Sequence, residues 1–331
     1  MPLNNEIKVS SVQDLLSFLE ENGYNKESYD IVECENALQK HFKSLIDMKG
    51  SLSLPSTLYP DTVNGRQSLR YFFRGHEDKA YKIRSSVSRL NVDCESELFK
   101  FFLTHAPEKM DGLSNLDKLT MMQHYGCGTR LLDITDNPLV ALYFASKIVK
   151  KDKSKNEVEP DGEFIVFSPL VSTILDWNSI YVKFLSSIPE LEKQDRNELV
   201  NLVIQELREN RDPILGTFSD ESKSKIKEIL NKISFSIDEK FDFREVLFPR
   251  TLTARTFFPR IRNQHGFFII DPIKRTESNE NVIVAKKMTI PGDKKKDILD
   301  ELDRLGINEY TLFPDLEHFA KYAQWKVSRS K

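Results

Sequence analysis

Three short stretches of this chain hold more polar chemistry than a packed core needs: "YFFRGHEDKAYKIRSSVSRL", "QHYGCGTRLLDITDNPLVALYFAS" and "FFPRIRNQHGFF". In the first, Arg74 closes an apolar run and Gly75 follows it. A guanidinium there offers a bidentate fork to an anion where backbone can come close to a ligand, which suits a phosphate or a ribose. Equally, Arg74 can cap the strand and pair with a nearby Asp or Glu while Gly75 merely turns the chain. In the second stretch, Asp133 or Thr135 can cap the helix that starts near Pro138, Arg130 can pair with Asp133 or Asp136, and His124-Tyr125-Gly126 can close the preceding helix. Capping needs only one such group, so the surplus of Gln123, His124, Arg130 and Asp133 favours a cleft that these residues share with Arg74. His265, beside Gln264, is a further acid or base candidate or simply a surface residue. No His-Asp spacing accompanies Cys127, which argues against a nucleophilic thiol.

A fourth stretch, "PRTLTARTFFPRIRN", interleaves Arg250, Arg255, Arg260 and Arg262 with Phe257 and Phe258. That mixture pairs phosphates and stacks bases in nucleic-acid binding, or else forms a basic loop that neutralises acidic surroundings. The net charge of −3 gives no global basic field, so any nucleic-acid contact would have to be local.

The elements that must position these groups are legible from patterning. With 331 residues, 30% of them charged and 39% apolar, the chain is long and apolar enough to bury a sizeable core. The three cysteines are far apart and form no metal-ligand spacing, so a reducing cytoplasm without structural metal is expected. No signal-peptide pattern and no apolar run of membrane-spanning length is visible, so membrane insertion is not expected. Ser11 followed by "VQDLLSFLEENG" and the later "ECENALQKHFKSLIDMKG" read as amphipathic helices. The Pro- and Ser-rich "SLSLPSTLYPDTVNGRQS" reads as a joint, dividing a helical N-terminal region, 1–66, from a larger unit, 67–331.

Beyond the joint, "SLRYFFRG", "FIVFSPL", "GFFIIDP" and "NVIVAKKMTIP" read as strands. Helices are expected from about Glu95, Asn115 and Pro138, in "KKDILDELDRLG" and in "FPDLEHFAKYAQWK", with a helical insertion at about 172–240. Strands and helices at irregular intervals, with no repeating unit, predict an α+β fold.

"YFFRG", "RSSVSRL", "QHYGCGTRLLDITDNPLVALYFA" and "RIRNQHGFF", in this order, resemble the FRG-domain family, named for its Phe-Arg-Gly element. The resemblance runs from about Leu69 to Lys326 and departs where the family has Pro and this chain has Arg84 or Ser85, and at Ile134, where the family has Trp. A second resemblance is to ADP-ribosyltransferases. Aromatic-Arg-Gly resembles their NAD-contacting strand, "LYFAS" resembles the Tyr-Phe-Ala element of the poly(ADP-ribose)-polymerase type, and "REVLFPR" resembles the strand that carries the catalytic Glu.

This second resemblance implies a mixed β core of ADP-ribosyltransferase type, NAD as substrate and no metal. Arg74, Gly75, His124, Arg130, Asp133 and Tyr143 would hold the dinucleotide, with Tyr143 against the nicotinamide. Breaking the bond to nicotinamide develops positive charge on the ribose, which the Glu245 carboxylate would stabilise; Gln264 is the rival for that position and carries no charge. The expected function is therefore an ADP-ribosyltransferase-like toxin or phage-defence effector acting on RNA, DNA or protein. Its N-terminal and inserted helices would be docking surfaces for an antitoxin or chaperone. The alternative is a non-catalytic module that binds a nucleotide or nucleic acid. Glu245 separates the two, since catalysis needs it in one cleft with Arg74 and Tyr143.

Overall fold

The computed structural model describes residues 6–24, 69–90, 94–149, 158–169, 173–209, 211–255, 258–273 and 284–329. The second expected N-terminal helix, the joint after it, Cys34 and Phe257 lie outside these residues. In chain order the elements are α1 (Val12–Glu21), β1 (Phe72–His76), α2 (Ser86–Leu90), α3 (Cys94–His105), α4 (Pro107–Met110), α5 (Asn115–His124), β2 (Leu131–Thr135), α6 (Pro138–Ala145) and β3 (Gly162–Phe167). The inserted helices α7 (Ile180–Ser187), α8 (Lys193–Arg208) and α9 (Asp220–Lys232) follow. Then come β4 (Arg250–Thr253), α10 (Pro259–Asn263), β5 (Gly266–Ile270), β6 (Val284–Ile290), α11 (Lys295–Arg304), α12 (Glu309–Leu312) and α13 (Leu316–Arg329).

The strands form one six-stranded antiparallel sheet in the order β4-β5-β2-β1-β3-β6. The fold is thus α+β. Two of its strands, β2 and β4, were not expected from the sequence, where residues 131–135 read as part of a polar loop. "REVLFPR" departs the other way: Phe243–Leu247 is a 3-10 turn, begun by Asp242 accepting the Arg244 amide, and only Arg250 enters a strand.

Helix starts follow local capping chemistry. The Ser11 hydroxyl accepts the Asp14 amide at the head of α1, and Ser114 does the same for Asp117 at the head of α5. At α6 the cap is Asn137, whose side chain accepts the Leu139 amide, and Pro138 occupies the first helical position. Asp133 and Thr135 therefore do not cap this helix. Thr135 instead accepts the Asn137 amide and donates to the Gln264 carbonyl.

Helix α6 lies on the sheet at an approach only glycine permits. A Cβ on Gly75 would stand 2.0 Å from the Ala141 carbonyl oxygen, and one on Gly162 would stand 2.0 Å from that of Ala145. The helix buries Val140, Ala141, Leu142, Tyr143 and Ala145 in a cluster shared with Phe73, Phe164, Val166, Met288 and residues of α1 and α11. Lys295, fully buried, fastens its end by donating to the carbonyls of Glu77 and Lys147 and to Glu159. A larger cluster joins β2, β4 and β5 to α3, α5 and all three inserted helices, so the insertion shares a core with the segment before it. Phe72, Ile83, Leu132, Ile134, Ile165, Phe167 and Ile269 close the opposite sheet face.

Arg130 is 2% exposed and Glu95 is not exposed at all. Its Nε and Nη2 donate to the two Glu95 oxygens at 3.0 and 2.6 Å, and its backbone amide donates to Oε1. This pair ties α3 to β2, and neither Asp133 nor Asp136 is the partner that nearness in sequence suggested.

These contacts set the outcome of substitutions for stability. Gly75→Ala should cost about 3 kcal/mol or more in urea unfolding, because a backbone atom blocks the new methyl. Gly126→Ala, at φ +85° with nothing nearby, should cost only about 1–2 kcal/mol. Arg130→Met should cost about 3–5 kcal/mol by leaving Glu95 buried and unpaired, and adding Glu95→Leu should recover much of the loss.

Candidate functional site

The helix layer has a gap over the middle of the sheet. Residues paired in register share a sheet face. Phe73 pairs with Thr135, Thr135 with Gly266, and Asp133 with Phe268, so these side chains lie on one face. Val140, Ala141 and Phe144 of α6 cover this face from one side, while Thr120, Gln123 and His124 of α5 and Arg260 and Ile261 of α10 cover it from the other. Between them is a cavity of about 240 Å³, also lined by Arg74, Gly75, Phe258 and Gln264.

Arg74 sits where β1 and β2 part. Their ladder is limited to Phe73↔Thr135. Two residues before Thr135 in β2, the Asp133 carbonyl accepts a hydrogen bond from Arg74 Nη1 at 2.5 Å. Arg74 Nε donates to His76 Nε2 at 3.1 Å. His76 must therefore carry its proton on Nδ1, which lies 3.7 Å from Glu163 Oε2. Burial, above all, holds the His76 imidazole below its usual pKa; the nearby Arg74 cation adds to this and Glu163 opposes it. A neutral His76 can accept from Arg74, and a protonated one cannot.

The other polar groups are held in place as well. Asp133 Oδ2 accepts from Gln123 Nε2 at 2.7 Å, and Gln123 Oε1 accepts from the Thr129 hydroxyl at 2.7 Å. Gln264 Nε2 donates to the Leu312 carbonyl at 3.1 Å. The His124 ring stacks on Phe258, 5.8 Å between centroids. Burial first, and then the Arg260 cation, lower its pKa and keep it neutral. Arg260 lies 4.8 Å over the Phe313 ring and has no ion pair among the described residues. The arrangement can hold an anion at the Arg260 guanidinium beside aromatic surface, with Arg74 at the gap between β1 and β2 and one carboxylate, Asp133, across the floor.

Of the residues expected from the sequence, Arg74, Gly75, His124, Asp133 and Gln264 meet in this cavity, and Arg130, Tyr143 and Glu245 do not line it. Gly75 is taken up by the close passage of α6. Tyr143 turns away from the cleft and donates to Glu309 at 3.3 Å; its helical neighbour Phe144 is the ring that faces the cavity. Glu245 is 1% exposed and ion-paired with Arg250, neither in the cleft nor in solvent. His265 is exposed, adopts a left-handed backbone at φ 48° and lies 3.4 Å from Asp136. Burial raises the Cys127 thiol pKa, which disfavours the thiolate.

The basic run also divides. Arg250 is buried against Glu245 and the Thr173 carbonyl, Arg255 pairs with Asp117 over the Trp177 ring, Arg260 enters the cleft and Arg262 is exposed. It is not a continuous nucleic-acid surface. Among the described residues no group of His, Cys, Asp and Glu is arranged to hold a metal ion, and no helix is long and apolar enough to cross a membrane.

Phe144 and His76 were missed from the sequence. "LYFAS" drew attention to Tyr143 alone, one position short. His76 carried a faint signal, since it follows Arg74 by two and so shares its sheet face.

The His76 shift has a pH consequence. The unfolded chain takes up this proton below about pH 6.5, whereas the folded one resists it. The stabilising contribution is therefore complete above that value and is lost as pH falls through it. His76→Gln should flatten the fall of melting temperature between about pH 7 and pH 5, leaving the residual slope that His124, shifted in the same direction, supplies.

No curated protein and no solved structure matches the chain at a significant level. Residues 69–155 match the family model of the FRG domain. The match begins at the expected Leu69 and does not extend to "RIRNQHGFF" or "LFPDLEHFAK". The segment supplies β1, β2 and α6, and with them Arg74, Gly75, His124 and Asp133 of the cleft: residues 69–155 of this chain are an FRG domain.

Proposed function

We propose that the cleft binds a mononucleotide-sized ligand and that the chain acts as a nucleotide-binding module. The phosphate would lie against Arg74 and Arg260 and the base or ribose against Phe144, Phe258 and His124. The observation that carries this reading is Arg260: a guanidinium with no ion pair among the described residues, lining an aromatic cavity that Arg74 also borders. The cavity volume of about 240 Å³ supports half of a dinucleotide rather than the whole, since drug-sized ligands occupy about 300–1,000 Å³.

ADP-ribosyl transfer from NAD is the second reading, and Asp133 favours it. With Glu245 engaged by Arg250, Asp133 is the carboxylate lining the cleft, held there by Gln123. It could stabilise positive charge developing on a ribose without any metal. Under this reading the target remains a macromolecule, RNA or protein. A toxin or defence role, cytoplasmic location and an antitoxin or chaperone on the helical surfaces are parts of the same proposal.

Calorimetry with AMP, GMP, nicotinamide mononucleotide, NAD and adenosine separates these readings. The monophosphates should bind at least tenfold more tightly than adenosine, and Arg260→Ala or Arg74→Ala should each weaken them by about tenfold or more. Equal binding of adenosine and AMP, or no binding of any of them, overturns the nucleotide reading. Nicotinamide release from NAD that is lost in Asp133→Asn and retained in Glu245→Gln would establish the second.

A further inference from the structure

A second cavity, of about 410 Å³, lies behind the cleft wall between the end of α6 and the C-terminal helices. Consecutive residues of α6 face the two spaces: Phe144 lines the cleft and Tyr143 lines this cavity. Phe313 stands between them. Arg260 of the cleft lies over its ring at 4.8 Å, and His318 of the second cavity stacks on it at 4.3 Å and 10°.

The cavity combines a ring platform with a cation. Tyr322 and Trp325 stack on one another 5.8 Å apart, and Leu299 and Ile307 add aliphatic surface. The Lys147 ammonium sits 5.4 Å from the Phe313 centroid and 5.9 Å from those of Tyr143 and Phe144, with no ion pair among the described residues. The carboxylate at the site, Glu309, is already answered: it accepts from the Tyr143 hydroxyl and lies 3.9 Å from His318 Nε2. Lys321, the other lysine lining the space, pairs with Glu317. One ammonium is thus left for one negative charge, and Glu309 would repel a dianion.

We propose that this cavity is a second binding site, separate from the cleft, for a small planar aromatic carboxylate whose ring lies against Tyr322 and Trp325 and whose carboxylate meets Lys147. A lone ammonium suits a single point charge, and an aromatic floor rewards a planar body. A cavity of this volume lies within the range that small-molecule sites occupy. Lys147, Tyr322 and Trp325, which would meet the ligand, do not line the cleft, so the test is independent of the nucleotide reading.

The two tryptophans, Trp177 and Trp325, give an internal control, because only Trp325 lines the cavity. The full chain, labelled with nitrogen-15, is titrated with 2-naphthoate, with its neutral amide and with 2-naphthylmethylamine, while the two indole N–H signals are followed. Trp177→Phe assigns them. The carboxylate should move the Trp325 signal saturably and leave Trp177 in place; Lys147→Gln should weaken it about tenfold, and Lys147→Arg should retain it. Binding of the amide as tight as that of the acid, tighter binding of the amine, or no shift of Trp325 with the acid overturns the proposal. Melting curves of both Lys147 variants establish that they are folded when measured.

Discussion

The contact between α6 and the two glycines beneath it governs most of what this molecule can do. Backbone carbonyls of Ala141 and Ala145 occupy the places where side chains of Gly75 and Gly162 would be. An interaxial distance that small leaves no slack in the helix position, because packed backbones cannot yield as a flexible side chain can. Two consequences come from that one fit. Phe144 and Tyr143 are delivered to opposite sides of a wall, and the first turn of α6 ends the helix layer where the sheet face opens into the cleft. Lys295, buried and hydrogen-bonded at the far end, fixes the helix against Glu77 and Glu159.

Several buried arginines elsewhere among the described residues are answered by carboxylates. Arg130 meets Glu95, Arg250 meets Glu245, and Arg244 meets Asp242. Removing charges from water is costly unless each is paired and hydrogen-bonded, so these residues are committed to structure. Arg74 and Arg260 differ in kind. The first donates to a histidine ring and to a backbone carbonyl, and the second rests on an aromatic face. Arg260 has no ion pair among the described residues and lines the cleft.

Helices were legible because their signals are local: Ser11 before α1, Pro138 at the head of α6, and apolar spacing through α8 and α9. The strands β2 and β4 were not, since runs of five and four residues containing Asp133 and Arg250 show too little alternation to separate from a loop. For the site, the sequence picked out Arg74, His124, Asp133 and Gln264, residues whose types exceeded structural need. It misplaced Arg130 and Glu245 because their partners are set by the tertiary fold. Glu95 lies 35 positions from Arg130, a separation at which spacing carries no information. In sequence Arg250 belongs to a basic stripe, whereas the fold gives Arg250, Arg255 and Arg260 three different surroundings and leaves Arg262 exposed.

The strand order bears on how far the FRG segment is a unit in its own right. Among the described residues, 69–155 contribute β1 and β2, the two central strands of the sheet. The outer partner of β1 is β3, and that of β2 is β5, more than a hundred residues beyond the end of the segment. Left alone, the segment would present two unpaired, largely apolar edges, a state prone to association with other chains. Autonomy therefore belongs to the whole sheet. During synthesis β1 meets β3 soon after the segment ends, whereas β2 must wait for β5, so this topology keeps one central edge open while more than a hundred further residues are made.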